Sequence, residues 1–207
     1  MPDDSLLING SSAAPFTLIL AHGAGAPMDS PFMNSIAEGL GDVQVRVVRF
    51  EFPYMAVRRS SGTHRAPDRE AALIESWHSV IAKLGKAARL VIGGKSLGGR
   101  IASMIADEVG AAGLVCLGYP FHPPGNPART RIKHLENLRT PALILQGTRD
   151  SFGRPDEVAH YHLSPKLEVV WIEDGDHSFK PTRRSGRAAE QNLGDAISHV
   201  RRFIAGL

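Results

Sequence analysis

The chain predicts an α/β protein, a three-layer α/β/α sandwich around a mostly parallel sheet of about six strands. Strand-like apolar runs alternate with helical patterns from one end to the other. That order calls for parallel pairing, right-handed crossovers and helices on both faces of the sheet. The second sign is local. Leu90-Val91-Ile92-Gly93-Gly94-Lys95-Ser96-Leu97-Gly98-Gly99 sets a serine between two glycines, after an apolar run and before a helical pattern.

The elements follow in order. Phe16-Thr17-Leu18-Ile19-Leu20-Ala21 reads as a central strand. Asp29 or Ser30 then caps a helix with Pro31 in its first turn and Phe32, Ile36 and Leu40 on one face. Residues 43–52 form a β-branched strand ended by Pro53, and a loop through Arg58, Arg59 and Arg65 follows. A helix opens at Pro67-Asp68-Arg69-Glu70 and keeps its period through Trp77 to Leu84. The serine strand and its helix (Ile101, Met104, Ile105) lead to a strand containing Cys116, a proline-rich turn and a short helix over 129–138. A strand over 141–147, a helix over 155–163, a strand over 167–172 and an amphipathic helix near 187–204 complete the order. No repeat, low-complexity tract or linker interrupts it, so one domain without a large lid is expected over 1–207.

Bulk properties narrow the classes. At 207 residues the chain suits one sizeable core, and 43% hydrophobic with 22% charged residues is ordinary for a globular protein. Lys and Arg total 24 against 21 Asp and Glu, a formal charge of +3. That excess is too small to argue for nucleic acid, and no arginine–aromatic interleaving supports it. The lone cysteine, Cys116, excludes an internal disulfide, and its apolar run reads as buried strand. The start of the chain, with Asp3 and Asp4, lacks the basic residues and apolar core of a signal peptide. No apolar run reaches spanning length, so a cytoplasmic location with no membrane partner is the default.

Ser96 carries the chemistry. A serine at the tip of a strand-to-helix turn holds its Oγ above the sheet, and Gly94 and Gly98 flank it because larger side chains would collide there. Such a nucleophile needs a base and an orienting acid, in the chain order Ser, Asp/Glu, His. Asp150 follows one strand-like run and His177 the next, both where open α/β sheets place their sites. His78 lies in a helical pattern, and His134, His160, His162 and His199 read as surface helix residues; His64 and His122 lie in loops and stay open. Asp174 and Asp176 share a turn with His177, where turn capping is their plainer role, and Asp156 and Glu157 begin a helix. Upstream, His22-Gly23-Ala24-Gly25-Ala26-Pro27 supplies small residues that let the chain approach a carbonyl. The oxyanion donors are assigned to the Ala24 and Leu97 N–H groups, and His22 to a structural hydrogen bond.

These residues together resemble the α/β-hydrolase superfamily, in a small form without its first antiparallel strands. Glu51-Phe52-Pro53-Tyr54-Met55, Gly93 to Arg100 and Gly118-Tyr119-Pro120-Phe121-His122-Pro123-Pro124-Gly125 resemble more narrowly the dienelactone-hydrolase-like group. The resemblance implies a Ser–His–Asp hydrolase carried by Ser96, His177 and Asp150, with no cofactor and no metal. Dienelactone hydrolases themselves use cysteine where this chain has Ser96. Some eukaryotic relatives are subunits of chromatin complexes, so a hydrolase-shaped interaction module without turnover is the competing reading.

The expected reaction is cleavage of a small or mid-sized ester or related acyl bond, with a small-molecule ester as partner. The connection from Tyr119 to Arg139, about twenty residues, is too short for a large lid. Tyr54, Phe121 and Phe179, with Phe52 and Met55, are candidate pocket residues, though core packing explains them equally well. Arg58, Arg59 and Arg65, and Lys180 with Arg183, Arg184 and Arg187, are candidate rims for an anionic substrate; solvated loop charge is their plainer reading.

Overall fold

The structure is a computed structural model that describes residues 6–85 and 89–207. Asp3 and Asp4 lie outside the described residues. The strands are β1 (Leu7–Asn9), β2 (Phe16–Ala21), β3 (Val45–Phe50), β4 (Leu90–Lys95), β5 (Gly113–Leu117), β6 (Ala142–Gly147) and β7 (Leu167–Ile172). They form one seven-stranded sheet in the order β1-β3-β2-β4-β5-β6-β7. Every pairing is parallel except that of β1 with β3.

The helices α1 (Pro31–Leu40), α2 (Pro53–Ser61), α3 (Glu70–Leu84), α4 (Leu97–Ile105), α5 (Pro155–Val158) and α6 (Ala189–Ala205) provide the covering layers. Successive strand residues point to opposite faces, so a strand covered on both sides is apolar throughout. Ile19 and Ala21 of β2 join Val48, Ile92, Cys116 and Trp77 on one face, with α3 and α4 above them. Leu18 and Leu20 join Val47, Val91, Val115 and Val200 on the other, against α1 and α6. Each fully buried Val, Leu or Ile side chain among these contributes roughly 1.5–3 kcal/mol. Cys116 lies in this core, where burial pushes its thiol up.

Four local expectations are corrected. The sheet keeps one antiparallel edge strand, β1, whose Asn9 side chain is held by Arg49; that guanidinium also donates to Met28 O and Asn34 Oδ1. The segment expected as a loop through Arg58 and Arg59 is α2, begun by Pro53 and stopped at Gly62 with φ 69°. The helix expected over 129–138 is a series of turns, pinned where the Arg131 N–H meets Phe121 O and where Tyr119 Oη donates to Arg131 O. The helix expected over 155–163 is the four-residue α5. Among the described residues, no helix is long and apolar enough to cross a membrane.

Candidate active site

The site lies past the carboxyl ends of β2, β4, β6 and β7. Its centre is the β4–α4 turn, where Ser96 is held at φ 50°. A left-handed non-glycine residue is costly and persists only where its surroundings over-determine it. Here they do. A Cβ on Gly94 would sit 2.3 Å from Ala21 O, and one on Gly98 2.4 Å from the same oxygen. The glycines thus let α4 start directly against β2. The first N–H groups of a helix have no acceptor within it, and at α4 these begin with Leu97, next to Ser96.

His177 stands over the serine, its Nε2 2.8 Å from Ser96 Oγ, while its Nδ1 lies 2.7 Å from Asp150 Oδ2. A carboxylate only accepts, so Nδ1 carries the proton and Nε2 is left to accept from the serine hydroxyl. Asp150 is fully buried. Its Oδ2 also accepts from Gln146 Nε2 at 2.9 Å and its Oδ1 from the Phe152 N–H at 2.9 Å. The Phe152 ring packs on the imidazole with centroids 4.3 Å apart. Burial lowers the His177 pKa most, the Asp150 hydrogen bond opposes this, and the Lys95 charge adds to the lowering. A histidine held neutral in this way can take a proton near neutral pH.

The neighbouring carboxylates are committed elsewhere. Asp176 Oδ1 accepts from the Ser178 and Lys180 N–H groups, and Asp174 caps Thr182 and pairs with Arg149. Of the histidines left open, His64 is exposed and His122 is buried with Nε2 3.4 Å from Glu157. His134, expected on a surface helix, is half-buried and meets Ser103 Oγ at 2.8 Å.

His22 holds the opposite wall. Its Nδ1 donates to Gly23 O at 2.7 Å and its Nε2 accepts the Phe52 N–H at 3.1 Å, while burial lowers its pKa. The imidazole is therefore neutral and ties the β2 turn to the chain leaving β3. Ala24 follows on that turn and lines a cavity of about 320 Å³ with Ser96, His177, Phe32, Met33 and Phe152.

The candidate pocket aromatics are elsewhere. Tyr54, Phe121 and Phe179 are 0%, 0% and 1% exposed, packed in the core beneath the turns they were expected to line. Phe32, Met33 and Phe152 form the wall in their place. Arg59 is taken up by Asp29 and Glu51, at 2.7 and 2.5 Å. Arg58 borders a second cavity of about 210 Å³ with Gly25, Pro27 and Met55, and Gly25 also lines the first. Arg65 lies on exposed chain near Asp68. Lys180, Arg183 and Arg184 are exposed, Arg187 pairs with Asp195, and none of these four lines either cavity.

Sequence reasoning missed two polar residues that hold this frame. Gln146, buried in β6, exchanges hydrogen bonds with the Tyr119 backbone besides reaching Asp150. Asn192 of α6 donates to Glu173 O and Phe179 O and so braces the His177 turn. A lone amide inside an otherwise apolar strand or helix face was the available signal, since buried polar groups are kept where they are paired.

Known proteins share this arrangement of the chain. The profile of the alpha/beta hydrolase domain matches residues 14–205. A serine hydrolase without a lid from Xanthomonas campestris superposes with a TM-score of 0.69 at 20% identity, over 96% of this chain and 88% of that one. An alpha-beta serine hydrolase homologue from Coxiella burnetii gives 0.70 at 19% identity, over 98% and 90%. Est1E from Butyrivibrio proteoclasticus gives 0.69 at 12% identity, over 97% and 94%. At these identities the structures speak for the fold, and the match over 14–205 speaks for the family: the chain belongs to the alpha/beta-hydrolase family.

Proposed function

We propose that the protein is a serine hydrolase that cleaves small or mid-sized ester or related acyl bonds through Ser96, His177 and Asp150. The observation that carries this reading is the unbroken chain of hydrogen bonds from Asp150 through His177 to Ser96, opening on a cavity sized for a small acyl group. Ser96 Oγ attacks the carbonyl carbon as His177 Nε2 takes its proton. The Ala24 and Leu97 N–H groups receive the oxyanion. His177 then passes the proton to the departing alcohol, leaving an acyl group on Ser96. Water, deprotonated by the same nitrogen, releases the acid and restores the serine. Throughout, Asp150 holds the tautomer and stabilises the imidazolium.

The cleft belongs to one domain without a large lid, and the protein works in the cytoplasm on a soluble ester. The narrower likeness to the dienelactone-hydrolase-like group is part of the proposal, but Ser96 in place of cysteine argues against the dienelactone as substrate. Arg58 at the second cavity favours an anionic group on the substrate.

A serine-directed fluorophosphonate should label the protein, and Ser96→Ala should abolish both labelling and turnover of p-nitrophenyl esters. The expected loss is roughly a million-fold, because nucleophile and base act as a unit. A variant keeping a few per cent of the original turnover removes Ser96 as nucleophile. An unlabelled, inactive but folded native protein would leave the interaction module as the reading.

A further inference from the structure

The residue before the nucleophile is a lysine, and the hydrolytic steps leave it unused. Lys95 ends β4 with 8% of its surface exposed. Its Nζ donates to the main-chain carbonyl oxygen of His177 and stands 5.6 Å from the centre of the Phe32 ring. Among the described residues no carboxylate forms an ion pair with it. Room for this contact comes from Gly118, at φ 70°, where a Cβ would lie 2.8 Å from both Lys95 Nζ and His177 O. A buried cation without a paired anion is costly, and an apolar side chain of similar length would be favoured for stability alone.

We propose that Lys95, which also borders the cavity beside Ser96, is a positioning residue of this site: its ammonium anchors the His177 turn at the main-chain carbonyl and sets a fixed positive charge near the imidazole, opposite in sign to Asp150. The inference rests on the serine-hydrolase reading for its consequence, not for its geometry. The charges acting on His177 are few. Asp150 comes from the turn after β6, Lys95 from β4 and Asp176 from the histidine's own turn. The same two carboxylates act on Lys95, whose pKa burial nonetheless pulls down to about 8. Lys95 is therefore still charged where a histidine titrates, below 6.5. A like charge beside His177 disfavours the imidazolium, so the base stays free at lower pH than Asp150 alone would permit. The anchor keeps Nε2 aimed at Ser96, where a displacement of about 1 Å costs roughly a hundredfold in rate.

The test is an NMR titration of His177 in protein labelled with ¹³C-histidine, its resonance identified by its loss in His177→Gln. Lys95→Met removes the charge and the donor, Lys95→Gln removes the charge and keeps a donor, and Lys95→Arg keeps the charge. Met and Gln should both raise the His177 midpoint by about half a unit or more, and Arg should leave it near the native value. Ester turnover per fluorophosphonate-reactive serine should fall about tenfold in Lys95→Met and less in Lys95→Gln. An unchanged midpoint in both neutral variants overturns the proposal, as does an Arg variant that shifts as far as they do. Should Lys95→Met fail to fold, Gln against Arg still decides the role of the charge. The titration needs no turnover, so its failure is distinct from failure of the hydrolase reading.

Discussion

Two turns leave the carboxyl edge of the sheet on either side of β2, one from β4 into α4 and one from β3 into α2, and they are built on opposite principles. At the first, backbone packs on backbone. Gly94 and Gly98 pack against Ala21 O so closely that a Cβ on either would lie within 2.4 Å of it, and Ser96 is held at φ 50°. At the second, side chains do the holding. Pro53 starts α2, Gly62 ends it with open space where a Cβ would lie, and Arg59 ties it down through Asp29 and Glu51. In the proposed reaction, chemistry that depends on tenths of an ångström sits on the first kind of turn, and the second kind carries charge that tolerates movement.

The largest effect expected after loss of Ser96 lies on the rigid side. Asp150→Asn should fold but slow ester turnover roughly ten-thousand-fold at neutral pH, because an amide supports neither the Nδ1–H tautomer nor the imidazolium. Asp176→Asn, which only loosens a turn held at the Ser178 and Lys180 N–H groups, should lose far less. Steady-state rates of the two variants decide the matter; the reverse ranking would mean that the acid comes from the histidine turn.

Next comes a comparison of the elbow with the far end of α2 by urea unfolding. Gly98→Ala forces a Cβ to within 2.4 Å of Ala21 O and 2.7 Å of His22 O, both backbone atoms. It should lower unfolding free energy by about 3 kcal/mol. Gly62→Ala meets no atom within 4 Å and bears only the strain of φ 69°. About 1 kcal/mol is expected there. Equal losses would show that the elbow relaxes as freely as the α2 end.

The same contrast explains what could be read from the sequence. The elbow was legible because its constraint is written in composition: apolar strand, Gly94, Ser96, Gly98, helix. The places of Asp150 and His177 could be read because each follows a strand, β6 buried throughout and β7 only in part. Helix α2 was obscured by Arg58, Arg59 and Ser60, which give it little apolar face, although Pro53 and Gly62 marked both ends. Strand β1 is three residues long and partly exposed, too short to show a period. Tyr54 and Phe121 fooled position-based reasoning because a residue just past a strand end can turn inward as easily as toward the cleft. Lys95 bonds His177 O 82 residues on, Gln146 the Tyr119 backbone 27 residues back and Asn192 Phe179 O 13 residues back; the lone polar residue marked each position, but nothing local named its partner.

The smallest effect concerns the charge on the looser side. Arg58 borders the second cavity, and among the described residues its guanidinium makes one hydrogen bond, to Gly25 O, long at 3.5 Å. Arg65 lies on exposed chain, 3.9 Å from Asp68, and borders neither cavity. Arg59 is a poor probe, since removing it strands Glu51, whose side chain is only 6% exposed. At physiological salt charges act over roughly 8 Å, so an arginine that contacts substrate is separable from one that merely adds to the net field. Arg58→Gln should lower kcat/KM for a carboxylated ester about threefold, in the range of a partly exposed ion pair, and spare a neutral ester of equal size. Arg65→Gln should change the ratio of the two substrates little. As salt is lowered, Arg65 should begin to count, because the screened field returns, while the Arg58 difference persists at every ionic strength. If the two variants behave alike at physiological salt, Arg58 is ordinary surface charge and the second cavity takes no anion.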